Sequence, residues 1–150
     1  MRRHLSWKKA TLWTAGGLLV VFGLIQLVPY GRDHADPPVV KEPAWNSPQT
    51  RAIVKGACFD CHSNETNWWW ATNIAPVSWL TYRDVRRGRA KLNFSDWQGQ
   101  VGWGQIEDVL NSGRMPPSKY RFIHSSARLS DAEKRQLIDG MKATLSGGQP

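Results

Sequence analysis

Cys58-Phe59-Asp60-Cys61-His62 concentrates the chemistry of this chain: two thiols separated by two residues, with an imidazole directly after the second. C-x-x-C-H is the arrangement that attaches c-type haem. The two intervening residues let Cys58 and Cys61 reach the vinyl-derived carbons on one side of the macrocycle, while His62 can turn beneath the iron as its proximal ligand. Two thioethers hold a large apolar cofactor even when the fold opens transiently. Two rivals use the same residues. A thioredoxin-like dithiol calls for a strand-rich α/β pattern around it, which is missing. A zinc site could take Cys58, Cys61 and His62, but the ordinary spacing to a second ligand pair is absent. The chain has 2 cysteines in all, so with both committed to one covalently attached haem c no structural disulfide is available.

The other face of the iron decides what such a haem does. Met115-Pro116-Pro117 is the favoured source of a second ligand, because a thioether suits the iron and the two prolines stiffen the loop that presents it. His124 is the main competitor, and would give a bis-histidine site of lower reduction potential. Met141 lies at helical spacing between Leu137 and Leu145 and is assigned to the core, while Met1 falls in the cytoplasmic tail. Two protein ligands saturate the iron and favour outer-sphere electron transfer; an open site admits peroxide or a small gas. The sequence offers no nucleophile with a base at interpretable spacing, no paired-carboxylate motif and no phosphate-binding glycine loop.

Positioning these groups falls to a short exposed domain behind a membrane anchor. Residues 10–28 are uncharged and long enough to span a bilayer, so they are expected to form a transmembrane helix in contact with lipid. Arg2, Arg3, Lys8 and Lys9 precede it, so the positive-inside bias is expected to put residues 1–9 in the cytoplasm and the chain after Val28 outside the inner or cytoplasmic membrane, in a periplasmic or other extracytoplasmic space. A cleaved signal peptide is the competing reading, but no small-x-small cleavage site follows the apolar run. Residues 29–48 contain five prolines and read as an extended tether. Residues 49–150 make one all-α, cytochrome c-like haem domain, small enough that the haem must stand in for part of the core. Within it helices are expected over Thr50–Ala57, over Gln105–Asn111, and after Ser130, which with Glu133 forms a capping box ahead of Leu137, Met141 and Leu145.

Nine tryptophans are a heavy load for so short a chain. Trp68-Trp69-Trp70 is read mainly as packing near the haem, with at least one ring facing a partner or the membrane interface. Trp79 or Tyr82 can hydrogen-bond a haem propionate if its polar atom points inward. From Gly31 onward there are 16 Lys and Arg against 12 Asp and Glu, so about half of the formal net charge of +8 comes from the N-terminal tail. Arg83, Arg86, Arg87, Arg89 and Lys91 form the dense basic cluster, which can steer an acidic redox protein, salt-bridge the haem propionates or simply be a solvated face. Nucleic acid is set aside as a partner, since no recognition module accompanies these charges.

The stretch from Cys58 through Trp68-Trp69-Trp70 to Leu80, the run Asp84 to Trp97, the Gly113-Arg114-Met115-Pro116-Pro117 block, His124 and the segment Ala127 to Glu133 together resemble the small haem-binding domain family of bacterial monohaem cytochromes. The resemblance covers about residues 48 to 146. It implies an extracytoplasmic cytochrome c-like domain on one N-terminal helix, with the haem cysteines at Cys58 and Cys61, the proximal histidine at His62 and the methionine at Met115. Trp69 and Ala71 depart from the proline and tyrosine often found in the aromatic segment. The expected function is a membrane-anchored monohaem c-type cytochrome that passes electrons as a subunit of, or a carrier docked to, a respiratory or photosynthetic complex. A haem sensor or peroxidase-like enzyme with a displaceable ligand, and a haem-stabilised assembly subunit, are the alternatives.

Overall fold

A computed structural model describes residues 2–99 and 101–147, with side chains from Trp7 onward. Met1 and the last three residues of the expected haem domain lie outside the described residues. The elements are α1 (Arg2–Ile25), α2 (Pro48–His62), α3 (Val77–Lys91), α4 (Trp103–Asn111), α5 (Ser118–Ile123) and α6 (Asp131–Ser146), with short 3₁₀ turns at Trp70–Asn73 and Ser125–Ala127. Among the described residues there is no strand, and backbone pairing of the sheet type is confined to an isolated bridge between Lys41 and Asp96. The protein is all-α, as its sequence periodicity implies.

α1 contains an apolar stretch, Trp7–Ile25, long enough to cross a membrane. Leu18, Leu19, Val20, Val21 and Phe22 are all exposed, so apolar side chains point outward on every side of the helix. A core helix of a water-soluble domain would hide one stripe of them. The helix stops at Ile25, short of the expected Val28, and Gln26, Leu27 and Val28 continue as turns bonded three residues back.

The chain divides into two compact units. The first comprises residues 1–34 and 68–83. Here the Gln26 side chain donates to the Ala75 carbonyl at 2.9 Å and accepts from the Ala75 N–H at 2.9 Å, a two-point clamp. Arg32 adds a donation to the same Gln26 oxygen at 3.1 Å. His34 stacks on Trp68 with ring centroids 4.6 Å apart and its Nε2 lies 3.2 Å from the Thr72 carbonyl. Gly31, at φ +78°, packs where a Cβ would stand 2.5 Å from the Ser78 carbonyl, so no other residue fits there without displacement.

The second unit comprises residues 35–67 and 84–150, and holds the hydrophobic core of Val54, Phe59, Phe94, Ile106, Leu110, Leu137 and Met141. Ser47 caps α2 by accepting from the Thr50 N–H, and Pro48 follows as the first helical residue, where its missing N–H costs nothing. α2 runs past the expected Ala57 to His62, so the C-x-x-C-H residues are themselves helical. The expected capping box on α6 is present, and Met141 is 2% exposed, in the core as its spacing implies. α4 starts at Trp103 rather than Gln105. α5 goes unanticipated because six residues are too few for a periodic signal, and α3 because its basic run masks the sparse apolar positions such as the buried Val85.

Residues 29–34 turn, with Gly31 and His34 at positive φ, and Pro48 opens α2; between them, from Ala35 on, the chain runs without helix and is fastened along the second unit. Val40 and Lys41 donate to the Ser95 carbonyl, Trp97 donates back to Lys41, and Asn64 holds the Pro38 carbonyl. Glu42 takes both guanidinium arms of Arg51, at 2.7 and 2.6 Å. The segment behaves as a strap, and Trp45 packs against the core beneath it.

Candidate functional site

Cys58, Cys61 and His62 occupy the last turn and a half of α2. Cys58 and Cys61 are three apart and share a helix face, while Phe59 between them is 1% exposed and pins the turn to the core. His62 Nδ1 lies 3.0 Å from the Leu92 carbonyl. A carbonyl can only accept, so Nδ1 carries the proton, and the neutral ring presents its lone pair at Nε2. Burial pushes the His62 pKa down against the opposing pull of the Leu92 and Gly88 carbonyls, which favours that neutral form. The ring has the form that metal ligation requires, with one nitrogen already oriented by the main chain.

The two thiols are held protonated. Burial, reinforced by the other cysteine, pushes Cys58 up to about 12, and burial with Asp84 and Asp60 pushes Cys61 up to about 11. Thiols pushed upward in this way lack the thiolate character that a dithiol exchange nucleophile needs. That is the physical argument against the thioredoxin-like rival. Among the described residues no group of three or more His, Cys, Asp or Glu side chains converges as a metal cage.

α3 crosses this turn at the closest possible distance. A Cβ on Gly88 would lie 2.1 Å from the Cys61 carbonyl oxygen, so glycine lets the two backbones meet. The next residue, Arg89, locks the crossing: it donates to the Ser63 carbonyl at 2.7 Å, the Ala35 carbonyl at 2.7 Å, Asp36 at 2.6 Å and Thr66 Oγ1 at 3.0 Å. Phe94 closes the loop by donating to the His62 carbonyl at 2.7 Å. Arg89 therefore leaves the basic cluster expected to dock a partner; it is a structural residue, while Arg86, Arg87 and Lys91 are exposed along the same helix.

Asp60, between the cysteines, accepts the Tyr120 hydroxyl at 2.7 Å and the Asn67 N–H at 3.0 Å. Burial and the neighbouring Asp60 carboxylate push the Tyr120 pKa up, so the phenol stays a donor. His124 stacks on Tyr120 at 4.0 Å, with Nε2 3.9 Å from Asp60. Residues 60 and 62 are two apart on a helix and point to opposite sides, so His124 packs on the side of α2 away from the His62 ring.

Met115 follows α4, with its N–H bonded to the Val109 carbonyl, and lines a cavity of about 390 Å³ with Leu110, Pro116, Phe122, Ala127 and Leu129. None of the residues lining that cavity belongs to α2. Met115 is 38% exposed and Phe122 85% exposed, an unusual state for side chains of this size beside a core. The structure thus groups Cys58, Cys61 and His62 on one turn and sets Met115 in a separate recess of mixed apolar and basic side chains. Trp79, considered for a propionate contact, has a buried Nε1 without a partner; Tyr82 packs edge-on against Tyr30 at 5.1 Å.

Sequence reasoning missed Gly88, Arg89, Leu92, Asp60 and Tyr120. A glycine inside a basic helical run was a usable signal for the close crossing. Leu92 acts through its carbonyl, which no side-chain pattern announces.

Comparison with known families matches residues 20–143 to the haem-binding domain family. The match begins well before the segment from which the resemblance was read, inside α1. No curated protein and no solved structure matches the chain. The residues present fit a haem: a neutral imidazole with a free, oriented nitrogen lies beside two protonated thiols on one helical turn. With the match spanning most of its length, the chain belongs to the haem-binding domain family and is a haem protein.

Proposed function

We propose that this protein is a membrane-anchored monohaem c-type cytochrome that moves electrons by outer-sphere exchange. The observation that carries the reading is the His62 Nδ1 bond to the Leu92 carbonyl, which leaves Nε2 for iron beside the two thiols that would hold the porphyrin by thioethers. When bound, the haem supplies one-electron exchange between ferric and ferrous iron. The chain supplies the rest. His62 would hold the iron through Nε2 in a set tautomer, and the Gly88 crossing with the Arg89 clamp keeps that turn in place.

Met115 is favoured as the second ligand over His124. His124 is engaged with Tyr120 and Asp60 on the far side of α2, whereas Met115 lines a recess of mixed apolar and basic side chains with its own side chain partly exposed. The anchor reading rests on the outward-facing apolar surface of α1 and on the family match beginning at residue 20. Retention of the anchor is supported by the Gln26 and His34 contacts, which build residues 26–34 into a folded unit. With N-terminal positive charges inside, the haem domain lies on the periplasmic face, where a redox protein or a membrane electron-transfer complex is its partner. The exposure of Met115 favours a second reading, a haem sensor or peroxidase-like enzyme in which the thioether is displaced by a small ligand.

Visible absorption of the purified protein, oxidised, reduced and exposed to carbon monoxide, separates these readings. His62/Met115 ligation gives the weak far-red charge-transfer band of methionine-bound ferric haem and no ready carbon monoxide binding, and Met115→Ala abolishes the band and admits carbon monoxide. Ready binding by the parent protein moves the assignment to the sensor or enzyme. Haem staining of denaturing gels tests attachment independently: staining unchanged in both Cys58→Ala and Cys61→Ala refutes the two-thioether arrangement.

A further inference from the structure

We infer that the Trp70 loop is a membrane-contact element, seated in the lipid headgroup interface of the leaflet from which α1 emerges. The inference rests on the proposed reading of α1 as a membrane span. Gln26 is the first residue after α1, so it sits at the outer boundary of the hydrocarbon when Trp7–Ile25 spans. Its amide is bonded at both ends to Ala75, at 2.9 Å each, which brings the 74–76 backbone to the same depth. Five residues of fully extended chain reach about 17 Å at most, and the 3₁₀ turn Trp70–Asn73 shortens that path.

Three further contacts keep this loop from swinging away. His34 stacks on Trp68 and its Nε2 lies within hydrogen-bonding distance of both the Thr72 carbonyl and the Thr72 hydroxyl, at 3.2 and 3.1 Å. Tyr30 packs edge-on to Tyr82, and Gly31 lies against the first turn of α3. At the loop's tip Trp70 is 71% exposed, and Leu27, Tyr30 and Leu80 are exposed in the same unit. An amphipathic indole fixed near the end of a spanning helix matches the chemistry of the headgroup layer, which takes up the ring and leaves its N–H wet. Continuity with the bilayer-facing surface of α1 argues for lipid as the occupant of this patch.

The test uses the full haem-loaded chain in phosphatidylcholine nanodiscs, with a nitroxide placed by Asn73→Cys beside an intact Trp70. Leu19→Cys reports the span and Ala132→Cys reports water, with the parent chain treated in parallel to measure labelling at Cys58 and Cys61. Collisional relaxation by oxygen, which concentrates in lipid, is compared with that by a water-soluble nickel chelate. The expected result is an oxygen-to-nickel ratio at residue 73 several-fold above that at residue 132, falling towards it when Trp70→Ser is added. A deep residue 19 with a residue 73 as wet as residue 132 overturns the inference and leaves the anchor intact. A wet residue 19 overturns the anchor reading and the inference with it. Shielding of residue 73 from both reagents means that protein covers the loop, which also overturns it.

Discussion

Gly88→Ala is the most searching single change in this fold, because two opposing effects of known size meet at one atom. An alanine within α3 gains roughly 1 kcal/mol of helix propensity over glycine. Its Cβ would also lie 2.1 Å from the Cys61 carbonyl oxygen and 2.9 Å from the carbonyl carbon, contacts with main chain that no rotamer change relieves. Overpacking of this kind costs about 1 to 3 kcal/mol, and a backbone neighbour puts it at the upper end. The net is a loss of about 2 kcal/mol, or a fall in Tm of roughly 10 °C for a domain near 100 residues. Gly104, in the first turn of α4, has nothing within 4 Å of its would-be Cβ, so Gly104→Ala keeps its propensity gain and holds or raises Tm. Thermal unfolding of the detergent-solubilised holoprotein by circular dichroism measures both. The displaced carbonyl belongs to the residue before His62, so Gly88→Ala is also expected to shift the haem absorption band while Gly104→Ala leaves it in place. A Gly88→Ala protein as stable as the parent, or a Gly104→Ala protein equally weakened, would show that the α2–α3 crossing is not the close contact described.

The Glu42–Arg51 pair gives a pH dependence of defined sign. The Arg51 hydrogen bond holds the Glu42 carboxyl below the usual carboxylate range against the opposing effect of burial, so its stabilisation is complete above the unfolded value and is lost as pH falls through the folded one. Glu42→Gln, with a partly exposed partner that weakens the pair, is expected to cost about 1 kcal/mol near pH 7, and the gap in urea midpoint should close as pH falls below the ordinary carboxylate range; a gap that widens with acid would contradict the assignment. On the exposed face of α3, Arg86→Gln with Arg87→Gln is expected to slow electron exchange with an acidic partner several-fold at low salt and by little above about 0.15 M, whereas equal rates would make that face merely solvated.

The C-x-x-C-H residues were legible because their spacing is itself the chemistry, and α6 because Ser130, Glu133, Leu137 and Met141 carry cap and stripe together. α3 was not, since Arg86, Arg87, Arg89 and Lys91 look alike in sequence although one of them is consumed by four internal bonds. The strap at 35–48 was read as a tether from its prolines, which fix local extension and say nothing of where the free carbonyls go. Ala35 and Pro38 give theirs to Arg89 and Asn64, partners roughly 25 to 55 positions away that no local pattern reveals. At His124 the sequence shows an imidazole and hides the phenol stacked on it.

The partner of His62 is a peptide carbonyl, and that has a consequence for mutation. Every amino acid possesses that oxygen, proline included, so substitutions at position 92 change the packing of a half-buried leucine without deleting the acceptor that sets the imidazole. The orientation of the His62 imidazole is thereby insulated from side-chain drift at its own contact. It is lost by moving the turn between α3 and Phe94, whose N–H holds the His62 carbonyl, so backbone shifts there and not side-chain changes at position 92 would reorient the ring.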